Sequence, residues 1–423
     1  MLPPVLEIYV VWHPRDDRRA RPLAEALLDH YHGDTFSGLI GGAVEVCFRS
    51  AGWTDEDDAP RPIPLPSTAS PPGPAADPAD HPAAHVAVVC LLGPELFRAV
   101  GQTAPNLWRK YLQDIVARAE ADPSHVILRG ATLGSAQPTT EPLWSWFGPT
   151  QHLAATDALN PVEPQAEVLC RDLSQSLAQA LDRCTTPLTV FLSHTKHADR
   201  DERTAHAAFV ATVRAIIGTT HLGLFFDSNT LQPGDDWPRT LEATAGSSAM
   251  LALRTDRYAG RDWCQREVVT AKTHGMPVVV LDALEHGESR GSFLLDHMPR
   301  LRAHRDDAAW DWAPIRRALG QLVDECLKRA LWRQQQAVAG PSAGVDWWAP
   351  HAPEPLTLVN WLTTRPSIGT PARDPVLILH PDPPLTRSER DSLNAVVALA
   401  VPPLTLEVMT PRTLAARSGG RAP

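Results

Sequence analysis

The chain has 423 residues, 43% of them hydrophobic and 21% charged, a composition that excludes a disordered chain and is too long for one ordinary core. The formal net charge is −10, and with no long basic run a nucleic-acid face has no electrostatic support. Six cysteines without a CxxC spacing fit buried thiols in a reducing compartment, and "MLPPVLEIYVVWHPRDD" has neither the basic leader of a signal peptide nor a membrane-spanning run, so the expectation is a cytoplasmic protein with no membrane partner.

In chain order, "LEIYVVWH" reads as a strand and "RRARPLAEALLDHY" as a helix with Leu23, Leu27 and Tyr31 on one face. "AVEVCFRS" is a second strand. Between Pro60 and Pro82 nine of 23 residues are proline, which cannot pack a core, so 59–84 is expected to be a loop. "HVAVVCLLG", "NLWRKYLQDIVARAEA" and "HVILRGATL" then read strand, helix, strand, and complete an α/β domain over 1–133. His13, Asp16 and Asp17 in "WHPRDD" are expected to be solvated turn residues and not metal ligands.

A proline-punctuated linker, 134–165, leads through the helix "AEVLCRDLSQSLAQALDRC" into a second α/β domain, 166–305. Its strands are "PLTVFLSH", "HLGLFFDSN", "SAMLALRTD" and "MPVVVLDAL", with helices "ERTAHAAFVATVRAIIG" and 262–274 between them. An amphipathic helix within 306–340 carries Ile315, Leu319, Leu322, Val323, Cys326 and Ala330 on one stripe and is expected to dock on the sheet or bridge two protomers. A Pro/Trp-rich linker, 341–373, precedes a βαβ segment at 374–423, where Thr386 and Glu389 have capping-box spacing. That segment is expected to be an incomplete C-terminal α/β piece.

Chemistry concentrates in "RDWCQREVVTAK". Cys264, Val268 and Ala271 form the stripe facing the sheet, while Trp263 and Glu267, four apart, lie on an adjoining face at the opening of the helix. In a parallel α/β sheet the ligand crevice lies just beyond the strand carboxyl ends, which is where this helix begins. Periodicity alone leaves two readings open: a ring and a carboxylate beside a ligand, or a tryptophan packed on the sheet edge beside a solvated acid.

The stretch 186–300 resembles a TIR (Toll/interleukin-1 receptor) domain, of the NAD-cleaving type found in bacteria. "VFLSH" is similar to its first strand, "FFDSNTLQPGDDW" to its second strand and BB loop, and "YAGRDWCQREVVTA" to the segment that holds the catalytic glutamate. The resemblance implies tandem flavodoxin-like, doubly wound parallel-sheet domains, the first a looser TIR-like match in which Leu112, four residues after Trp108, replaces the glutamate. It implies that Glu267 is catalytic, that Tyr258 and Trp263 border the nicotinamide end, and that Ser193, Phe226 and Asp227 lie near the pocket mouth. Pro233, Gly234 and Trp237 would belong to an assembly loop.

The activity so implied is hydrolysis or cyclisation of NAD+, as substrate and without a cofactor or metal, in defence or signalling. Activation would follow homo-oligomerisation through the TIR domains, with a nucleotide or a protein as the cue. The rival readings are a non-enzymatic TIR scaffold for protein–protein interaction and a nucleotide sensor with a vestigial TIR fold.

Overall fold

The computed structural model describes residues 5–36, 44–50, 60–65, 83–101, 107–133, 141–147, 163–184, 186–195, 200–225, 248–288, 291–306, 309–339, 344–364, 375–381, 383–402 and 404–419. Its contacts divide the chain into two units, 1–183 and 184–423.

The first unit is built from β1 (Leu6–Val11), α1 (Asp17–Tyr31), β2 (Val44–Arg49), β3 (His85–Leu92), α2 (Pro94–Gly101), α3 (Leu107–Ala121), β4 (Val126–Thr132), α4 (Leu143–Phe147) and α5 (Gln165–Leu181). The strands form one all-parallel sheet in the order β2-β1-β3-β4. All eight residues of the inner strand β3 are buried, which is why "HVAVVCLL" is a continuous apolar run: a parallel sheet covered on both faces leaves no polar side. The edge strand β2, by contrast, is only partly covered.

Two elements differ from expectation. The helix α5, grouped by sequence with the second domain, packs on α1 in the first unit, where the Tyr31 hydroxyl and Ser174 Oγ lie 3.1 Å apart. Its periodicity shows that it has an apolar face but not which sheet receives it. In addition, α2 forms from "PELFRAVG", with Pro94 in the first turn, where the missing N–H costs nothing.

The second unit begins with β5 (Thr189–Ser193), α6 (Arg200–Ile217), β6 (Gly223–Phe225), β7 (Ser248–Arg254), α7 (Asp262–Thr273), β8 (Val278–Asp282) and β9 (Arg300–Arg302). These strands make a five-stranded parallel sheet in the order β6-β5-β7-β8-β9, the 2-1-3-4-5 order of flavodoxin-like folds. A short antiparallel pair, β10 (Arg305–Asp306) and β11 (Ala309–Trp310), follows. The helix α8 (Trp312–Ala339) then runs for 28 residues, about 42 Å at 1.5 Å per residue, across β7, β8 and β9. The whole expected apolar stripe is buried, so α8 docks on its own sheet.

The region 341–373, expected as a linker, contributes β12 (Trp347–Trp348) and α9 (Pro355–Thr364). With β13 (Val376–Leu379), α10 (Arg387–Ala400), β14 (Leu406–Met409) and α11 (Pro411–Gly419), they build a three-stranded parallel sheet, β12-β13-β14, with an apolar core of its own. Two-residue strands leave no period to read, which is why β12 looked like linker. The N-terminus of α10 carries the expected capping box, with Thr386 Oγ1 accepting from the Glu389 N–H and the Glu389 carboxylate accepting from the Thr386 N–H.

Candidate active site

In the order β6-β5-β7 the chain reverses direction between β5 and β7, so a crevice opens beyond their carboxyl ends. Ser193 is the last residue of β5, and Tyr258 and Glu267 follow β7. The fold brings these three together. Ser193 Oγ donates to Glu267 Oε2 and lies 2.6 Å from the Tyr258 hydroxyl. Because a serine hydroxyl has one proton, its bond to the carboxylate makes Tyr258 the donor to Ser193, and the chain runs from Tyr258 through Ser193 to Glu267.

All three side chains are buried, Glu267 at 1% exposure, which corrects the picture of a solvated helical acid. The adjoining face of α7 is not a solvent face at this position, because Ser193 at the carboxyl end of β5 lies against it. Tyr258 is likewise a core residue and not a rim residue, packed in the same apolar cluster as Phe191, Cys264 and Val268. Burial, then the nearby Cys264 and Glu267, push its phenol well above the usual tyrosine range and keep it a proton donor. Trp263 stands in the first turn of α7 at 44% exposure, so it is not packed away on the sheet edge and is open to a ligand or partner.

The loop that carries Tyr258 is fixed by charged groups that sequence reasoning did not single out. Arg254, at the end of β7, meets Asp282 at 3.1 Å and also pairs with Glu288. Glu288 in turn accepts from the Ala259 N–H at 3.3 Å. The Asp256 carboxylate accepts the N–H groups of Glu285, His286 and Gly287 at 3.0–3.1 Å. Gln265 of α7 closes the loop by donating to the Tyr258 carbonyl at 3.2 Å. The available signal was a charged residue, Arg254, at the end of an otherwise apolar strand; its partners lie about thirty residues away and have no local signature.

His194, next to Ser193, lies 3.2 Å from His206 of α6. Burial, then the neighbouring imidazole, lower His206 to about 4, so His206 is uncharged at neutral pH. Among the described residues no cluster of three metal-ligating side chains occurs. Phe226, Asp227, Pro233, Gly234 and Trp237 lie outside the described residues.

In the first unit, "WHPRDD" is structural. Asp16 is buried, not solvated, and its carboxylate accepts from the N–H groups of Glu95 and Leu96 at 3.2 and 3.0 Å, capping α2. Asp17 accepts from Trp12 Nε1 at 3.0 Å and from Arg21.

No family model matches the chain, and no curated protein matches it. Among solved structures it is similar to a chain of the activated Roq1 resistosome directly recognizing the pathogen effector XopQ (TIR domains), at 24% identity with a TM-score of 0.18. The match covers 22% of this chain and 57% of that one, so the chain spans little more than half the length of that neighbour. No helix among the described residues is long and apolar enough to cross a membrane.

Proposed function

We propose that the second unit is a TIR-type module that cleaves the nicotinamide–ribose bond of NAD+, with Glu267 as the catalytic carboxylate. The observation that carries this reading is the hydrogen-bonded chain Tyr258–Ser193–Glu267 at the switch point of a 2-1-3-4-5 sheet. A glycosidase usually needs a second acid to protonate its leaving group, whereas nicotinamide departs from a ribosyl cation as a neutral molecule. One carboxylate is therefore enough. Glu267 would stabilise the oxocarbenium-like state where positive charge develops, Ser193 would hold the carboxylate in one rotamer, and exposed Trp263 would offer a flat wall to the nicotinamide ring. Attack by water gives ADP-ribose, and attack by an adenine nitrogen gives a cyclic product.

Assembly through TIR domains would set the activity, so nicotinamide release per molecule should rise with protein concentration and fall on dilution to the monomer. The burial of Glu267 favours a second reading, in which the carboxylate only anchors α7 and the module is a scaffold for protein–protein interaction. Concentrated protein incubated with NAD+ separates the two: the enzyme releases free nicotinamide and the Glu267→Gln variant does not, whereas a scaffold releases none in either form.

A further inference from the structure

A second concave site lies in the same unit, away from Ser193 and Glu267. Its volume is about 310 Å³, within the range of small-molecule pockets. One wall is formed where α7 ends and turns at Gly275 into β8, another by Lys328 and Arg329 of α8, and a third by His297. The remaining walls are Pro350 and His351, which follow β12, and Pro381, which follows β13. The cavity thus opens at the carboxyl ends of two parallel strands, where α/β sheets place their ligands.

The lining is unequal in charge. Two permanent cations, Lys328 and Arg329, and two imidazoles, His297 and His351, line the cavity with one carboxylate, Glu325, which Lys328 Nζ approaches at 3.5 Å, while His297 Nε2 lies 4.0 Å from the Glu389 carboxylate outside the lining. Burial, then Lys272, His380, Lys328 and His297, hold His351 down at about 4, as expected where the local potential is positive. Lys272 does not add to the excess because its Nζ is 3.3 Å from Glu354. The backbone at the cavity is also specialised: Gly275 and His297 both adopt left-handed conformations, φ +63° and +64°, and in His297 this is uncommon for a residue with a Cβ.

We infer that this cavity binds the phosphate group of a small molecule, with Lys328 and Arg329 as its cationic contacts and the His297 imidazole as a hydrogen-bonding one. Gly275, just past the carboxyl end of α7, the helix that carries Glu267, is part of the lining, and because that end of a helix disfavours an anion the phosphate is held by the cationic side chains and not by the helix dipole. An adjoining cavity of about 320 Å³ shares Gly275, Arg329, Pro350 and His351 and is walled by Trp332, Trp347, Trp348 and Trp361. A phosphate ester of a planar ring would use both cavities, and a free inorganic phosphate only the first.

The test is isothermal titration calorimetry of the full chain with inorganic pyrophosphate and, separately, with AMP. Saturable binding of either probe is expected; tighter binding of AMP assigns the tryptophan wall to the ring, and equal binding assigns recognition to phosphate alone. Lys328→Gln combined with His297→Asn removes one cationic contact and one imidazole contact while asparagine keeps the left-handed backbone, and should weaken binding about tenfold or more. Glu325→Gln removes the opposing carboxylate and should tighten binding, a gain that misfolding cannot mimic. Absence of saturable binding by both probes overturns the proposal, as does an affinity that neither variant changes.

Discussion

The four-stranded and five-stranded parallel sheets use the same place in opposite ways. In the first unit the switch point between β1 and β3 is filled by the chain's own carboxylate: Asp16 accepts two N–H groups at the start of α2, where the helix dipole also favours a negative charge. Gly93 leaves room for it, since a Cβ there would lie 2.3 Å from the Asp16 carboxyl group. In the second unit the switch point between β5 and β7 holds a carboxylate bonded to a hydroxyl that is itself bonded to a phenol. The topological counterpart of α7 is α3, and there Leu112 is buried in the apolar core four residues after Trp108. A carboxylate satisfied by backbone donors at a helix start is a structural cap, whereas the one at the second switch point takes a hydrogen bond from a side-chain hydroxyl. The difference lies in the donors, not in the fold.

The sharpest way to break this comparison is Glu267→Gln, which keeps shape and the bond from Ser193 but removes the charge. Nicotinamide release should fall by about 10²–10³ with the melting temperature little changed, the cost of losing one preorganised electrostatic contact. Turnover within a factor of about three of the parent would make Glu267 an anchor like Asp16. Asp16→Ala should do the reverse, lowering stability by about 1–2 kcal/mol through loss of the cap while nicotinamide release per folded molecule stays constant. Thermal unfolding together with the nicotinamide assay reads both effects.

Tyr258→Phe sharpens the comparison inside the second unit. It removes the donor to Ser193 and should cost about 1 kcal/mol of stability by chemical denaturation, with a smaller rate loss than Glu267→Gln because Ser193 still reaches the carboxylate. A rate loss as large as that of Glu267→Gln would place Tyr258 in contact with substrate. Cys264→Ala, on the sheet-facing stripe three residues before Glu267, should have the smallest effect, about 0.5 kcal/mol of packing with turnover retained.

Much of the architecture was legible because its signals are local. Inner strands such as β3 and β7 are continuous apolar runs, since helices cover both faces of their sheets. The stripe of α8 follows from the three- and four-residue spacings of a helical repeat, and the capping box of α10 from the three-residue spacing of Thr386 and Glu389. Glu267 became a candidate through the resemblance of its segment to a TIR domain; its local spacing, four residues after a tryptophan in a helix that follows a buried strand, left a solvated acid open as well.

Tertiary structure alone decided the rest. Ser193 and Glu267 are 74 residues apart in sequence, and only the pairing of β5 with β7 brings the carboxylate out of solvent and onto the serine. Periodicity showed an apolar face on α5 but could not show that α1 would receive it. The two-residue strand β12 has no period at all and exists because β13 offers it hydrogen bonds. Asp16 and Glu267 are both acids that follow a buried parallel strand; local sequence determines where each sits along its own element, while the groups packed across the sheet determine whether its charge meets backbone N–H groups or a side-chain hydroxyl.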